Sequence, residues 1–165
     1  MSTESAQKRL DELIDRFDTA MLVTTSLQGG LRARPMVIAA HSEGALLHFA
    51  TRSEDQKLEE VLADSSVAVT MQDGARYLSI TGRAHLDTRL DTTRDLWSPG
   101  MKLWFPDGPS DPSLTVIVVD PDCAEYWDRE GLHQLGFLWE AGKALVRGEP
   151  PDEASLGGHA KVEPD

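Results

Sequence analysis

The stretch "LRARPMVIAA", residues 31–40, decides how the rest of the chain is read. It is apolar enough for a β-strand, yet Arg32 and Arg34 stand near its start. Residues i and i+2 of a strand share a face, about 6.5–7 Å apart. Two guanidinium groups so placed repel each other unless an anion lies between them. In a chain of formal net charge −12, that anion is either a neighbouring carboxylate or a ligand.

Working outward, "TAMLVTT" (19–25) is a strand, "SLQGG" (26–30) a turn, and "ALLHFAT" (45–51) a third strand after "HSEG". Three strands joined by short turns make a β-meander. Before them, Leu10, Leu13, Ile14 and Phe17 follow helical spacing and predict an amphipathic helix over about 3–17. After them the period changes. Leu58, Val61 and Leu62 mark a helix, and Ser53 with Gln56 matches a capping box, which predicts a start at Ser53. "SVAVTMQ" (66–72) and "RYLSITGRAHL" (76–86) alternate as half-buried strands, with Leu78 and Ile80 facing one way and Tyr77, Ser79 and Thr81 the other. A short polar helix is expected within 86–97, and a Pro/Gly-dense irregular segment follows it. "LTVIVVD" (114–120) reads as a buried strand, "CAEYWD" (123–128) as a separate one, and 133–146 as a helix. Residues 1–147 form one domain, and 148–165 an acidic Pro/Gly-rich tail that is extended or mobile. Six or seven short strands with few helices between them predict a mainly β fold, a small antiparallel barrel.

At 165 residues, 40% apolar and 27% charged, the chain has the balance of an ordinary globular domain. Its pI near 4.7 argues against nucleic acid and against an anionic membrane surface as partners. Cys123 is the only cysteine, so an internal disulfide is impossible, and an inert buried thiol is expected. No signal-peptide core and no membrane-length apolar run is present, and a cytoplasmic address is the default expectation. His41, His48, His85, His133 and His159 lack metal-ligand spacing, so no metal is expected. Gly29–Gly30 precedes a strand and is a hairpin turn, not a phosphate cradle.

The arginines remain to be explained. Thr51 ends the third strand, Ser53 caps the next helix, and Lys57 follows in its first turn. A lysine there opposes the helix dipole, at about 0.3–1 kcal/mol when exposed. Arg32, Arg34, Thr51, Ser53 and Lys57 would together hold a phosphate monoester. Alternatively, Glu54 and Asp55, in the same helical turn, simply neutralise the arginines. Trp104 and Phe105 lie in the Pro/Gly-rich segment, where exposed aromatic surface calls for a cover. That cover is a partner subunit, a bound ring or the barrel's own end. Trp97 and Trp127 read as core.

"RARPM", "FAT" and "SxxxK" in this order resemble the flavin-binding split barrels of the pyridoxamine-phosphate-oxidase-like superfamily. "GRA", "LWSP", "WFPDG" followed by "DP", "AEYWD" and "GKALVRGEPPDE" are similar to its general stress protein 26 branch, over about residues 13–161. The resemblance implies a six-stranded antiparallel split barrel that forms a homodimer with FMN at the interface, FAD or another flavin serving in some relatives. It implies that Arg34 and Arg32 belong to the first flavin motif and that Pro35, Met36 and Val37 run along the ring edge. Ala50 and Thr51 match the pair ending the next strand, and Lys57 the phosphate lysine. Gln56 replaces an arginine found in the older oxidases, with Arg32 as its substitute. Tyr77 matches a position that reaches the flavin from the other subunit, and Trp104–Phe105 a second partner-subunit contact.

The implied function is a flavin-dependent oxidoreductase with a small-molecule electron donor or acceptor. No side chain stands out as a general acid or base, so no catalytic residue is assigned. The C-terminal Arg/His motif of true pyridoxamine-phosphate oxidases has only a loose echo in "REGLHQLG" (129–136), which argues against that activity. It leaves a non-catalytic flavin carrier or buffer used under stress as the alternative, and a flavin-free interaction module as a third reading.

Overall fold

A computed structural model of the chain describes residues 3–42, 46–74, 76–128 and 158–162. The helix expected at 133–146 lies outside the described residues. The elements are α1 (Thr3–Ile14), β1 (Thr19–Thr25), β2 (Leu31–Ser42), β3 (Leu46–Arg52), α2 (Gln56–Ala63), β4 (Ser66–Asp73), β5 (Arg76–Asp87), α3 (Leu90–Leu96), β6 (Leu114–Asp128) and β7 (Gly158–Val162). Strands follow the order β3-β2-β1-β4-β5-β6-β7, and a further β3–β6 pairing closes the first six into an antiparallel barrel. This is the expected architecture, with β7 added alongside the second half of β6.

Alternation builds the core. Ala20 and Leu22, Val67 and Val69, Leu78 and Ile80, Leu47 and Phe49, and Ile117 and Val119 all point inward and are buried. Burying such aliphatic side chains is worth about 1.5–3 kcal/mol each. Leu10, Leu13 and Ile14 of α1 join the same core. The helix stops at Ile14, and Phe17 reaches the core from a tightened turn in which the Arg16 and Phe17 N–H groups bond the Leu13 and Ile14 carbonyls. The β1–β2 hairpin closes through the Ser26 N–H on the Gly30 carbonyl at 2.7 Å, with Gly29 at φ 85°, a region that favours glycine.

Two irregularities shape the barrel. The stretches 114–120 and 123–128 form one strand, not two, and Pro121 stands inside it. Register against β5 shifts between Thr81 and Gly82, so Thr81 faces Cys123 while Gly82 faces Pro121. The bulge accepts a proline and lets β6 give one edge first to β3 and then to β7. A Cβ on Gly82 would lie 2.0 Å from the Asp120 carbonyl oxygen, so only glycine fits. Cys123, beside this bulge, is half-buried instead of buried. In β2, a second shift falls between Ile38 and Ala40, and β3 pairs only with residues 38–42. Residues 31–37 pair with β1 alone. The barrel is therefore split between the first half of β2 and the end of β3.

Candidate functional site

That split opens a cavity of about 640 Å³. Pro35, Met36, Val37, Ile38 and Ala39 form one wall, and Ala50, Thr51 and Arg52 another. The Pro/Gly-rich segment closes the third side with two 3-10 turns, Pro99–Leu103 and Gly108–Ser110. From this segment Met101, Leu103, Trp104 and Phe105 line the cavity. Phe105 is buried and Trp104 is 53% exposed, so the two aromatics divide between packing on the barrel's own end and facing outward. The Arg52 guanidinium ties the segment to β3 by donating to the Trp104 carbonyl at 3.2 Å.

A second cavity of about 370 Å³ is lined by Arg32, Ala33, Arg34, Asp55, Gln56, Lys57 and Glu60. Asp55 lines both cavities. The sequence therefore brings Arg32, Arg34 and Lys57 to one place, as expected, while Thr51 belongs to the apolar cavity. Ser53 and Tyr77 line neither.

Ser53 needs a correction. The helix begins at Gln56 with Asp55 as its N-cap residue, and Ser53 is exposed with its N–H bonded to the Ser113 carbonyl at 2.7 Å. Gln56 does not reach back to form a capping box; its side-chain oxygen accepts from Arg32 at 2.8 Å. Asp55 holds the start of the helix by accepting from the Thr51 hydroxyl and from the Lys57 ammonium, both at 2.6 Å. Burial pushes the Asp55 carboxyl upward, but the Lys57 and Thr51 hydrogen bonds and the Lys57 charge outweigh it and hold it below its ordinary value.

The sequence reading missed Glu60. Its side chain is wholly buried, 0% exposed. One carboxylate oxygen accepts from Arg34 at 2.7 Å and from the Thr24 hydroxyl at 2.6 Å. The other faces Arg32 at 3.3 Å. Arg34 also donates to the Thr24 hydroxyl oxygen at 2.6 Å. Burial raises the Glu60 carboxyl, yet hydrogen bonds from Thr24 and Arg34, with the charges of Arg34 and Arg32, bring it below its usual range. The carboxylates that balance the cations are thus Glu60 for the arginines and Asp55 for the lysine. Glu54 is exposed and lines neither cavity. The arrangement offers an apolar cavity beside a cation-lined one, and it suits a ligand with a ring at one end and an anion at the other.

Residues 5–152 match the family described as pyridoxamine 5'-phosphate oxidase like. Protein bli-3 of Neurospora crassa is 30% identical over 141 residues, covering 79% of this chain and 67% of bli-3. Among solved structures, a protein described as general stress protein 26 from Jannaschia sp. CCS1 superposes with a TM-score of 0.70 at 25% identity, covering 94% of this chain and 98% of that one. The general stress FMN/FAD binding protein of Xanthomonas citri superposes with a TM-score of 0.68 at 24% identity, covering 78% and 92%.

Proposed function

We propose, from the premise that this chain belongs to the pyridoxamine 5'-phosphate oxidase-like family, that its paired cavities hold FMN. The observation that carries this reading is an apolar cavity beside a cation-lined one, with Asp55 lining both. The ring system lies against Pro35, Met36, Val37, Ala50 and Trp104. The ribityl chain crosses at Asp55, whose carboxylate accepts from its hydroxyls, and Arg32, Arg34 and Lys57 take the phosphate. The Xanthomonas citri relative, an FMN/FAD binding protein by its name, is in keeping with this.

A second copy of the chain completes the site. The outward-facing positions of β2 from 31 to 37, β1 from 19 to 25, β4 from 68 to 72 and β5 from 77 to 81 carry no charged side chain. In a chain that is 27% charged, so broad an uncharged face fits burial in a homodimer. Tyr77 lies on it, exposed, and reaches the partner's flavin. Pro35 and Val37 join this face to the apolar cavity.

The function that follows is a flavin-dependent oxidoreductase with a small-molecule electron donor. The bound flavin supplies the hydride and electron chemistry, while the chain binds, orients and shields it from water. A second reading has one observation in its favour: among the described residues, Arg52 and Asp55 are the only ionisable side chains lining the apolar cavity, which suits a flavin carrier without turnover. The test is the absorbance spectrum of the purified protein with the released cofactor identified by mass, followed by anaerobic NADH or NADPH. Flavin absorbance that bleaches rapidly supports the oxidoreductase; flavin that no reductant bleaches supports the carrier. A colourless protein that fails to take up FMN overturns both.

A further inference from the structure

We propose that Glu60 is a positioning residue, whose buried carboxylate holds Arg32 and Arg34 in the geometry that receives a phosphate. This rests on the FMN reading above. Two guanidinium groups on one face of β2 repel each other, and although water reaches both, the carboxylate between them is wholly buried. Glu60 answers that repulsion from the opposite wall. Both of its oxygens are engaged, one by Arg34 and Thr24 and the other by Arg32. Thr24 completes a triangle, since its hydroxyl donates to Glu60 and accepts from Arg34.

A guanidinium has five N–H donors. Arg34 spends two groups on Thr24 and Glu60, and Arg32 spends one nitrogen on Gln56 and Glu60. The remaining donors belong to side chains that line the cation-rich cavity. Glu60 stands three residues after Lys57, so one helical turn carries both the phosphate lysine and the holder of the arginines to the same side of α2. Leu58 and Val61, both buried, seat that helix against the barrel.

A holder and a mere counter-charge have opposite signatures. If Glu60 only lowers the positive charge of the well, its neutralisation makes the well more attractive to phosphate. If it holds the arginines, neutralisation lets them turn away and phosphate binding falls. Riboflavin, which lacks the phosphate, reports on the ring site alone.

The experiment titrates FMN and riboflavin, by flavin fluorescence, into flavin-stripped protein and its Glu60→Gln variant. The expected result is FMN affinity lower by roughly tenfold or more, as for loss of a charged hydrogen bond, with riboflavin affinity unchanged. Tighter FMN binding by the variant overturns the proposal in favour of a counter-charge. An equal loss for both flavins overturns it in favour of a purely structural role. Equal binding of FMN and riboflavin by the unmodified protein overturns the phosphate assignment itself, and so separates that failure from this one. Should Glu60→Gln fail to fold, Thr24→Val carries the test, because Thr24 does not line the cation-rich cavity. It is expected to lower the preference for FMN over riboflavin in the same direction by a smaller factor. An unchanged preference there overturns the proposal.

Discussion

The Asp87 carboxylate, at the end of β5, accepts from the Arg89 side chain at 2.7 and 3.1 Å, from the Arg89 N–H at 2.9 Å and from the Thr92 hydroxyl at 2.8 Å. The Arg89 hydrogen bonds outweigh burial and hold its carboxyl far below the usual range. A depressed folded-state value means that Asp87 stabilises the fold above the ordinary aspartate pKa and loses that effect as pH falls toward the folded value. Asp87→Asn is expected to cost about 1–2 kcal/mol at pH 7, at the low end because Arg89 is exposed. The gap between the two proteins should narrow below about pH 4. Urea melts at pH 7 and pH 3 check this; a gap that stays constant contradicts it. Asp87 drew no notice in the sequence, and neither did Glu60, for a physical reason that differs. Leu58, Val61 and Leu62 together imply an apolar stripe that leaves Glu60 on the opposite, solvent side. Leu62 is in fact 73% exposed. The helix is turned so that Leu58, Glu60 and Val61 face inward. A single misleading leucine hid the buried carboxylate, whereas Arg32, Arg34 and Lys57 were legible because cations in an acidic chain need a reason.

At the scale of elements, strand alternation and turn glycines are local signals, and β1, β2, β4 and β5 follow from them to within a residue or two. The continuity of β6 was not legible, since Pro121 reads as a break unless the facing residue is known. That residue is Gly82, and it settles the point. Gly82→Ala would force a Cβ onto the Asp120 carbonyl, where backbone must move. We expect a loss of about 3 kcal/mol, read as a lower urea midpoint. Gly100→Ala, with open space around it, serves as the control and should change little. If both variants melt alike, the bulge is not as tight as described. The cavities were legible only as a list of residues. Their separation into an apolar slot and a cationic well depends on where β2 and β3 part company, which no local pattern encodes.

For the molecule as a whole, the uncharged outer face of β2, β1, β4 and β5 makes the sharpest prediction. Met21 lies at its centre, opposite Pro35 on one side and Thr70 on the other, and is exposed in the single chain. Sedimentation should show a dimer, and Met21→Lys should shift it to monomer, because burying a lone ammonium in an apolar interface is costly. FMN affinity should fall with it. A clean monomer that still binds FMN tightly contradicts a site shared between subunits. The closure of the barrel carries one more consequence. Residues 47–52 of β3 meet residues 114–119 of β6 across a long sequence separation, so this seam bears the largest loop-closure entropy and forms slowly compared with the local hairpins. The apolar cavity takes Ala50, Thr51 and Arg52 from that seam. A refolding chain is therefore expected to form its hairpins before it has a place for a ligand, so that ligand capture belongs to the late steps of folding.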